Sequence, residues 1–481
     1  MSASISRFLL LAILLGLAPL ADAQSFSNWI GGLFGTPEAG RQARVDSLFA
    51  NLPAGQGPIR EADRAWFVYS GNATSVDLAG DMSGWNPSMA LSHFSGTNFW
   101  FREFLCASTA RLDYKLVLND SQWVLDPTNP NTISGGFGPN SELAMLDYVQ
   151  PVEVLDHGYP ACTRTTHAGF FSPQLQNSRT IQVVTPPGYP DEGTYPVLIV
   201  HDGQDYLSLG SLENILAWMA VERPQTRLPI CVCIPPVNRS AEYDGNQQTA
   251  FGQFVMDTVI PFINQNYATA PDDPALWGTM GDSSAGDIAT YLVGEYPQQF
   301  GRAIAMSPYL PAAQYARISQ RPIEDFRFWM NWGTYDIATL LPLIASFRSM
   351  LEERGVTHQA LEYEEGHSWG LWRATVEEGI SFCWPRESAV SPEGRSERPG
   401  RMELRAWPNP FNGRLRIELG DHPQEAQLQI FNLQGQSVSM GLEQEQAGRW
   451  VWEPGELASG TYWLRAASGQ QVSSRRILYL K

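Results

Sequence analysis

The stretch Gly281-Asp282-Ser283-Ser284-Ala285-Gly286 decides the fold that we expect of this chain. It follows the apolar run 275–280, which is typical of a buried strand, and precedes the run 288–293, which opens a helical pattern. A strand, a sharp turn of small residues around a serine and then a helix form the setting of a nucleophile elbow, which exposes the serine hydroxyl at a sheet edge. We predict Ser283 as the nucleophile. Ser284 is the alternative, because Ala285 stands where the G-x-S-x-G pattern around Ser283 would have its second glycine.

Two later stretches extend this pattern. Asp336 follows the predicted strand 328–332, and His367 lies in a predicted loop after the strand 359–363. Ser, Asp, His is the chain order of the triad in α/β-hydrolases, and side chains that follow parallel strands meet at one sheet edge. We therefore expect Ser283 to attack an acyl carbon, His367 to move its proton and Asp336 to orient the imidazole. Glu364 and Glu365 stay open as alternative acids, and Asp336 could instead cap the next helix.

Residues from about 165 to 385 resemble the esterase D family, which includes enterochelin esterases and the feruloyl and acetyl-xylan esterases. Besides the Ser283 turn, the matching stretches are 195–204, 238–243, 298–301, 305–308, 333–336, 366–369 and Trp372. The resemblance implies an α/β-hydrolase fold. It also implies an oxyanion hole made by the backbone N–H of Gly203 or Gln204 together with that of Ser284. Arg239 and Glu242 would shape the rim of the pocket, although the residues alone also allow a simple surface ion pair.

The composition favours a globular, multidomain protein and excludes some partners. The chain has 481 residues, of which 43% are hydrophobic and 17% charged, and its formal net charge is -18. Such a charge repels phosphate, so we expect no nucleic-acid partner. No spacing of Cys and His suggests zinc, and we expect no metal and no organic cofactor. Among the five cysteines, Cys106 and Cys162 are a possible disulfide.

The N-terminus has the sequence pattern of an export signal. Residues 1–23 combine a positive start, an apolar run and an A-x-A cleavage site, which predicts a signal peptide. Residues 24–57 follow as a leader of undefined structure. No other stretch matches the hydrophobicity of the signal, so we expect no membrane span in the mature chain.

Two β-rich blocks flank the hydrolase segment, which we place at 160–385. Residues 58–150 resemble the early-set β-sandwich of glycogen-binding modules, on the stretches 79–85, 114–117 and 123–127. In that family the residues matching Trp85, Lys115 and Trp123 can contact sugar, whereas the alternative is that the aromatics fill the sandwich core. The fold class predicted is thus α/β, with an α/β-hydrolase catalytic domain between two β-sandwich domains.

The second block follows a polar linker at 386–402 that is rich in Pro and Gly. Residues 403–481 contain the opening W-P-N-P-F-N at 407–412 and a G-x-Y-x-L core at 460–464, and they resemble the C-terminal sorting domain of type IX secretion cargo. A fibronectin-like spacer is the alternative. The resemblance implies passage across an outer membrane through secretion machinery, and a secreted or cell-surface location.

These features together predict a secreted serine esterase that acts on an acyl group of a plant polysaccharide, such as feruloyl or acetyl xylan. A siderophore esterase of the enterochelin type is the first alternative. The second is a surface glycan-binding protein with weak catalytic activity, suggested by Asp282 and Ala285 beside the nucleophile.

Overall fold

The computed structural model describes residues 25–52, 57–136, 138–191, 193–386, 404–407, 411–419, 426–432, 437–446, 448–455, 457–468, 471–479 and 481. The predicted signal peptide and nearly all of the predicted linker lie outside these residues. Within them, no helix combines the length and the hydrophobicity needed to cross a membrane.

The N-terminal part is a β-sandwich covered by two helices, and the helices form where only a leader was expected. Helix α1 (Phe26–Phe34) and helix α2 (Glu38–Asn51) place Phe26, Ile30, Leu33 and Val45 on an apolar core shared with the sandwich. The sandwich strands are β1 (Ile59–Glu61), β2 (Arg64–Ser70), β3 (Val76–Gly80), β4 (Met89–Ala90), β5 (Ser92–His93), β6 (Phe99–Leu105), β7 (Arg111–Leu118), β8 (Gln122–Val124), β9 (Thr132–Gly135) and β10 (Gly138–Ala144).

The central part alternates strands and helices around a sheet that is mostly parallel. Its strands are β11 (Thr163–Ser172), β12 (Asn177–Thr185), β13 (Val197–His201), β14 (Ile230–Ile234), β15 (Trp277–Asp282), β16 (Arg302–Met306), β17 (Arg327–Tyr335) and β18 (Thr357–Gly366). Its helices are α3 (Gly203–Ser208), α4 (Leu212–Glu222), α5 (Arg239–Tyr243), α6 (Gln248–Phe254), α7 (Ile260–Asn266), α8 (Ser284–Glu295), α9 (Ala312–Gln320), α10 (Leu341–Glu353), α11 (Trp369–Arg373) and α12 (Val376–Cys383), with a π-helical turn at Val255–Val259 between α6 and α7. The parallel strands are buried along most of their length, as expected of a sheet covered by helices on both faces.

The strand order explains how the site is assembled. Strands run in the order β11-β12-β14-β13-β15-β16-β17-β18, and every pair from β14 to β18 is parallel. The sheet then continues into the sandwich, because the end of β18 pairs with the start of β7 through Glu365 and Arg111. Residues 364–366, which were predicted as loop, therefore belong to β18, since Glu365 pairs with Arg111 of β7 and Gly366 pairs with Tyr335 of β17.

The described C-terminal strands form two small sheets around a separate apolar core. They are β19 (Leu404–Trp407), β20 (Leu415–Leu419), β21 (Gln427–Phe431), β22 (Leu442–Gln446), β23 (Arg449–Trp452), β24 (Gly460–Ser468) and β25 (Gln471–Tyr479), in the orders β19-β20-β23-β22 and β21-β24-β25. The α/β fold with flanking β-rich parts is as expected.

The expected Cys106–Cys162 bridge is wrong. All five cysteines are described and all are free. Cys106 packs in the sandwich core, whereas Cys162 packs against the core of the parallel sheet, so the two thiols belong to different cores.

Candidate active site

Ser283 stands at the turn between β15 and α8 in a backbone conformation with φ 53° and ψ -120°. A positive φ is rare for a residue with a side chain and is typical of strained functional turns. Neighbouring atoms fill the turn: a Cβ on Gly281 would lie 2.3 Å from the carbonyl oxygen of Ala285, and one on Gly286 would lie 2.8 Å from Pro308 Cβ. The helix begins directly at Ser284, earlier than the periodicity predicted.

The two serine hydroxyls of this turn differ in their contacts. The Ser284 hydroxyl donates a hydrogen bond of 2.8 Å to Asp244 Oδ2. Among the side-chain hydrogen bonds between described residues, none is made by the Ser283 hydroxyl, whose backbone is instead held by Met306 and Tyr309. Ser283 therefore keeps its hydroxyl available for a reacting partner.

His367 and Asp336 meet at the same sheet edge as Ser283. Asp336 follows β17, His367 follows β18, and the register sets Tyr335 opposite Gly366. The distance between His367 Nδ1 and Asp336 Oδ1 is 2.7 Å. The Asp336 side chain is fully buried, whereas 17% of the His367 side chain is exposed. The imidazole thus has Nδ1 on a buried carboxylate, and Nε2 makes no side-chain hydrogen bond to the residues that the structure describes.

Asp336 is held in its ionised form. Burial by itself would raise its pKa, but the hydrogen bond and the charge of His367, with a further hydrogen bond from Ser307, outweigh burial and leave the pKa below its ordinary value. Backbone N–H groups of Ile337 and Gly333 also donate to this carboxylate, at 2.7 and 3.3 Å. An ionised carboxylate only accepts hydrogen bonds, so the proton of the shared bond lies on His367 Nδ1.

The alternative acids make other contacts. Thr334 donates a hydrogen bond of 2.9 Å to Glu364 Oε2. Glu365 is buried beside Arg111, at 3.8 Å from its Nη1. In this arrangement the carboxylate partner of the histidine is Asp336.

Ser307 is a site residue that sequence reasoning missed as a contact. It follows β16 with φ 42°, accepts a hydrogen bond of 3.1 Å from Trp372 Nε1, and donates to Asp336. The Trp372 ring also meets the imidazole of His367 edge to face, with ring centroids 5.0 Å apart. Ser307 and Trp372 thus contact the His367–Asp336 pair and help to hold it in place. The sequence signals for them were the position of Ser307 directly after a strand and that of Trp372 shortly after the histidine.

The expected oxyanion donors lie at the starts of two neighbouring helices. Gly203 and Gln204 open α3 after β13, Ser284 opens α8 after β15, and β13 and β15 are adjacent parallel strands. First-turn N–H groups have no partner within their own helix, and the helix dipole favours a negative charge there. Gly203 is required by packing, because a Cβ there would lie 2.4 Å from Cys233 Cα.

Arg239 links the two segments that carry these donors. Its Nε lies 2.8 Å from Asp202 Oδ2, and its Nη2 donates to the carbonyl oxygen of Asp282 at 3.3 Å. Burial raises the pKa of Asp282, and the negative charge of the nearby Asp202 raises it further, while the positive charge of Arg239 lowers it. Arg239 therefore lies at the site, and 40% of its side chain is exposed.

The family resemblance implied that Glu242 lies at the pocket rim, but the structure places it elsewhere. It is fully buried and pairs with the buried Arg179, at 2.9 Å from its Nη1. Arg179 comes from β12 and meets this carboxylate in the buried interior beside α5.

The three predicted sugar contacts do not share one arrangement. Lys115 and Trp123 lie on the same outer face of β7 and β8, since Trp123 stands opposite Val117, two residues after Lys115. The Trp123 side chain is 44% exposed. Trp85 is half-buried and donates its indole N–H, the one hydrogen-bond donor of its side chain, to Asp81 at 3.1 Å.

The fold is that of an α/β-hydrolase, and comparison with known proteins agrees with an esterase. Residues 172–382 match the family model described as putative esterase, and residues 405–479 match the secretion system C-terminal sorting domain. The protein is a carboxylic ester hydrolase with an esterase-family domain and a type IX sorting domain, which supports export to the cell surface or the medium.

Individual relatives are distant. The uncharacterized protein YjcH of Bacillus subtilis is 25% identical over 228 residues, which cover 43% of this chain and 92% of YjcH. The enterochelin esterase of Shigella flexneri has a similar structure, with a TM-score of 0.56, 17% identity and coverage of 68% of this chain and 94% of that chain. The ferric enterobactin esterase of Salmonella typhimurium gives a TM-score of 0.55, 16% identity and coverage of 68% and 95%. Because 68% of this chain exceeds the segment 172–382, the structural likeness reaches beyond the esterase domain.

Proposed function

We propose that this protein is an exported serine esterase that uses Ser283, His367 and Asp336 to hydrolyse carboxylic esters on a plant polysaccharide, with feruloyl and acetyl groups as the leading acyl groups. The observation that carries the catalytic assignment is the 2.7 Å hydrogen bond between His367 and a buried, ionised Asp336. This pair lies at the sheet edge that also holds the turn with Ser283. The secretion sorting domain supports a substrate outside the cell, such as a polymer too large to be taken up.

In the proposed mechanism, Ser283 Oγ attacks the ester carbonyl carbon while His367 Nε2 takes the hydroxyl proton. The tetrahedral oxyanion receives hydrogen bonds from the N–H groups of Gly203 or Gln204 and Ser284. The intermediate collapses when the C–O bond to the alcohol breaks and the imidazolium returns its proton to the leaving oxygen. Water, activated by the same imidazole, then releases the acid and restores Ser283. Asp336 stabilises the imidazolium throughout.

A second candidate is hydrolysis of a siderophore ester. It is favoured by the structural likeness to enterochelin and ferric enterobactin esterases, which includes part of the chain outside the esterase domain. It is disfavoured by the net charge of -18, which repels anionic ferric catecholates, and by the sorting domain.

The test is hydrolysis of p-nitrophenyl acetate, methyl ferulate and enterobactin by the full mature chain, beside Ser283→Ala and Ser284→Ala. We expect Ser283→Ala to lower kcat by about 10⁵-fold or more. Ser284→Ala is the matched control, since it removes a neighbouring hydroxyl that already binds Asp244, and we expect it to stay within about threefold of the wild type.

Three other results would change the proposed function. Loss of activity in Ser284→Ala alone would move the nucleophile by one residue. Preference for enterobactin over methyl ferulate would replace the polysaccharide substrate with a siderophore. A wild-type chain that is inert on all three esters but retarded by soluble glycans in affinity electrophoresis would favour a glycan-binding protein.

A further inference from the structure

The segment that carries His367 is in contact with the N-terminal sandwich. Strand β18 ends at Gly366, and its last pairing is the parallel pair of Glu365 with Arg111 at the start of β7. The segment 366–370, called the histidine segment below, therefore leaves the parallel sheet at the point where the sandwich begins.

Arg111 is the centre of this junction. It is fully buried, and its Nη1 donates to the hydroxyl of Ser368, the residue after His367, at 3.1 Å. Its Nη2 lies 2.7 Å from Asp113 Oδ1 and its Nε lies 2.8 Å from Glu142 Oε1. Two sandwich carboxylates therefore hold the guanidinium in place, and its remaining nitrogen points at the histidine segment.

Two glycines of the segment let the sandwich approach closely. A Cβ on Gly366 would lie 2.0 Å from Asp81 Cγ, and a Cβ on Gly370 would lie 1.9 Å from Arg111 Nη1. Asp81 itself is fixed, because the Asp113 N–H and the Trp85 indole N–H both donate to its carboxylate, at 2.7 and 3.1 Å. The backbone on both sides of His367 thus rests on sandwich side chains that have their own supports.

The Asp336 side has a similar contact. Tyr335, the residue before Asp336, packs against the sandwich core, and its ring lies 6.0 Å from the ring of Phe104. The Ser283 turn is different, because the contacts described above for it come from Met306, Tyr309 and Pro308 within the parallel-sheet part.

We propose that the N-terminal sandwich is a positioning part of the active site, in which Arg111 and Asp81 hold the segment 366–370 so that His367 is aimed at the substrate. This inference rests on the proposed function. Arg111 is a positioning residue, not a catalytic one, since it acts through Ser368 and the backbone. Loosening the junction should impair proton transfer by His367 and leave the nucleophile turn in place.

The test compares two esters of one acid that differ in their need for proton transfer. p-Nitrophenyl acetate has a leaving group that departs without a proton, whereas ethyl acetate must have its leaving oxygen protonated by the imidazolium. We would measure kcat/KM on both esters for the full mature chain and for Arg111→Met, Arg111→Lys and Ser368→Ala. Arg64→Met is the control, because Arg64 forms ion pairs on the sandwich surface with Asp63 and Glu103.

We expect Arg111→Met to lower kcat/KM about tenfold more on ethyl acetate than on p-nitrophenyl acetate. For Ser368→Ala we expect the loss on ethyl acetate to be about threefold greater than the loss on p-nitrophenyl acetate. Arg64→Met should leave the ratio of the two kcat/KM values unchanged. Arg111→Lys should recover part of the loss. If Arg111→Met fails to fold because it leaves buried carboxylates unpaired, Ser368→Ala decides, since it removes only one hydroxyl.

An equal loss on the two esters, or no loss in folded Ser368→Ala and Arg111→Met, would overturn this inference while the esterase assignment stands. A wild-type chain that hydrolyses neither ester would overturn the proposed function and this inference together.

Discussion

Ser283 and Asp336 illustrate how single residues set the geometry of the candidate site. Ser283 has a positive φ of 53°, a conformation that the surrounding turn imposes at a cost of about 1–3 kcal/mol. Asp336 is buried and yet stays ionised, because His367, Ser307 and two backbone N–H groups donate to it. The first feature presents a hydroxyl at the turn, and the second fixes the tautomer of His367.

Asp336→Asn is expected to lower kcat by about 10⁴-fold with little change in KM. The amide can donate to Nδ1, which favours the tautomer with its proton on Nε2 and so blocks the general base. The measurement is steady-state hydrolysis of p-nitrophenyl acetate.

Glu364→Gln serves as the control for this substitution. It neutralises a carboxylate that is hydrogen-bonded by Thr334, whereas His367 is hydrogen-bonded to Asp336. We expect activity within about threefold of the wild type. Near-normal activity of Asp336→Asn with a large loss in Glu364→Gln would transfer the role of the acid to Glu364.

The end of β18 shows how an element positions a side chain. Its final residues are held by β17 on one side and by Arg111 on the other, and Gly366 allows Asp81 to lie against the backbone. A strand end with contacts on both sides has little freedom to move the histidine that follows it.

Gly366→Ala is expected to lower kcat by about 100-fold, since the added Cβ would lie 2.0 Å from Asp81 Cγ and a shift of about 1 Å in a catalytic group has this effect. Gly31→Ala is the matched control, because a Cβ there, on α1, meets no atom within 4 Å. Steady-state kinetics and a melting curve for both variants would check the prediction. An unchanged kcat in Gly366→Ala would mean that Asp81 can move away without disturbing His367.

Glu365 makes the stability of this junction dependent on pH. Burial raises its pKa to about 7, and the negative charges of Asp113 and Glu142 add to this, while Arg111 lowers it. Because the folded state holds the proton more tightly than the unfolded state, the stabilisation is complete below the unfolded pKa of 4.5 and is lost as the pH rises through about 7.

Glu365→Gln removes this titration. Relative to the wild type, the variant should gain on the order of 2 kcal/mol of unfolding free energy between pH 5 and pH 8. Urea unfolding of both chains at the two pH values would measure the difference. The same difference at both pH values would show that Glu365 has an ordinary pKa in the folded protein.

At the scale of the whole molecule, the described contacts of the site lie within residues 57–386, and the C-terminal part has a core of its own. One contact between the two is the ion pair of Arg475 with Glu362, at 2.8 Å, and both side chains are partly exposed. Surface pairs of this kind contribute little to stability. Among the described residues, the sorting domain therefore has no contact with Ser283, Asp336 or His367.

A chain that ends at Arg386 is expected to keep kcat on p-nitrophenyl acetate within about threefold of the full mature chain. Glu362→Gln in the full chain is the companion variant, since it removes the ion pair and retains the domain. A loss above about tenfold in the truncated chain alone would mean that the sorting domain supports the active site through contacts other than this pair.

The sequence predicted the parallel sheet and the places of Ser283, Asp336 and His367 well, because each of these signals is local. An apolar run, small residues at a turn and a polar residue after a strand all act over a few neighbouring positions. The wrong predictions concern residues whose partners are distant in sequence. Glu242 was expected at the rim, and it is buried on Arg179, which lies 63 positions away.

The sequence by itself determined that this protein has a strand-turn-helix segment around Ser283, a Ser, Asp, His order and a sorting tail, since backbone strain, periodicity and motif are properties of short segments. Only the tertiary structure decided that His367 binds Asp336 and not the glutamates beside it, and that the sandwich supports the histidine segment. These contacts join residues as far as 257 positions apart, as for Arg111 and Ser368. Their existence depends on the pairing of β18 with β7, which no local pattern specifies, because strand partners are selected by burial and geometry across the whole fold.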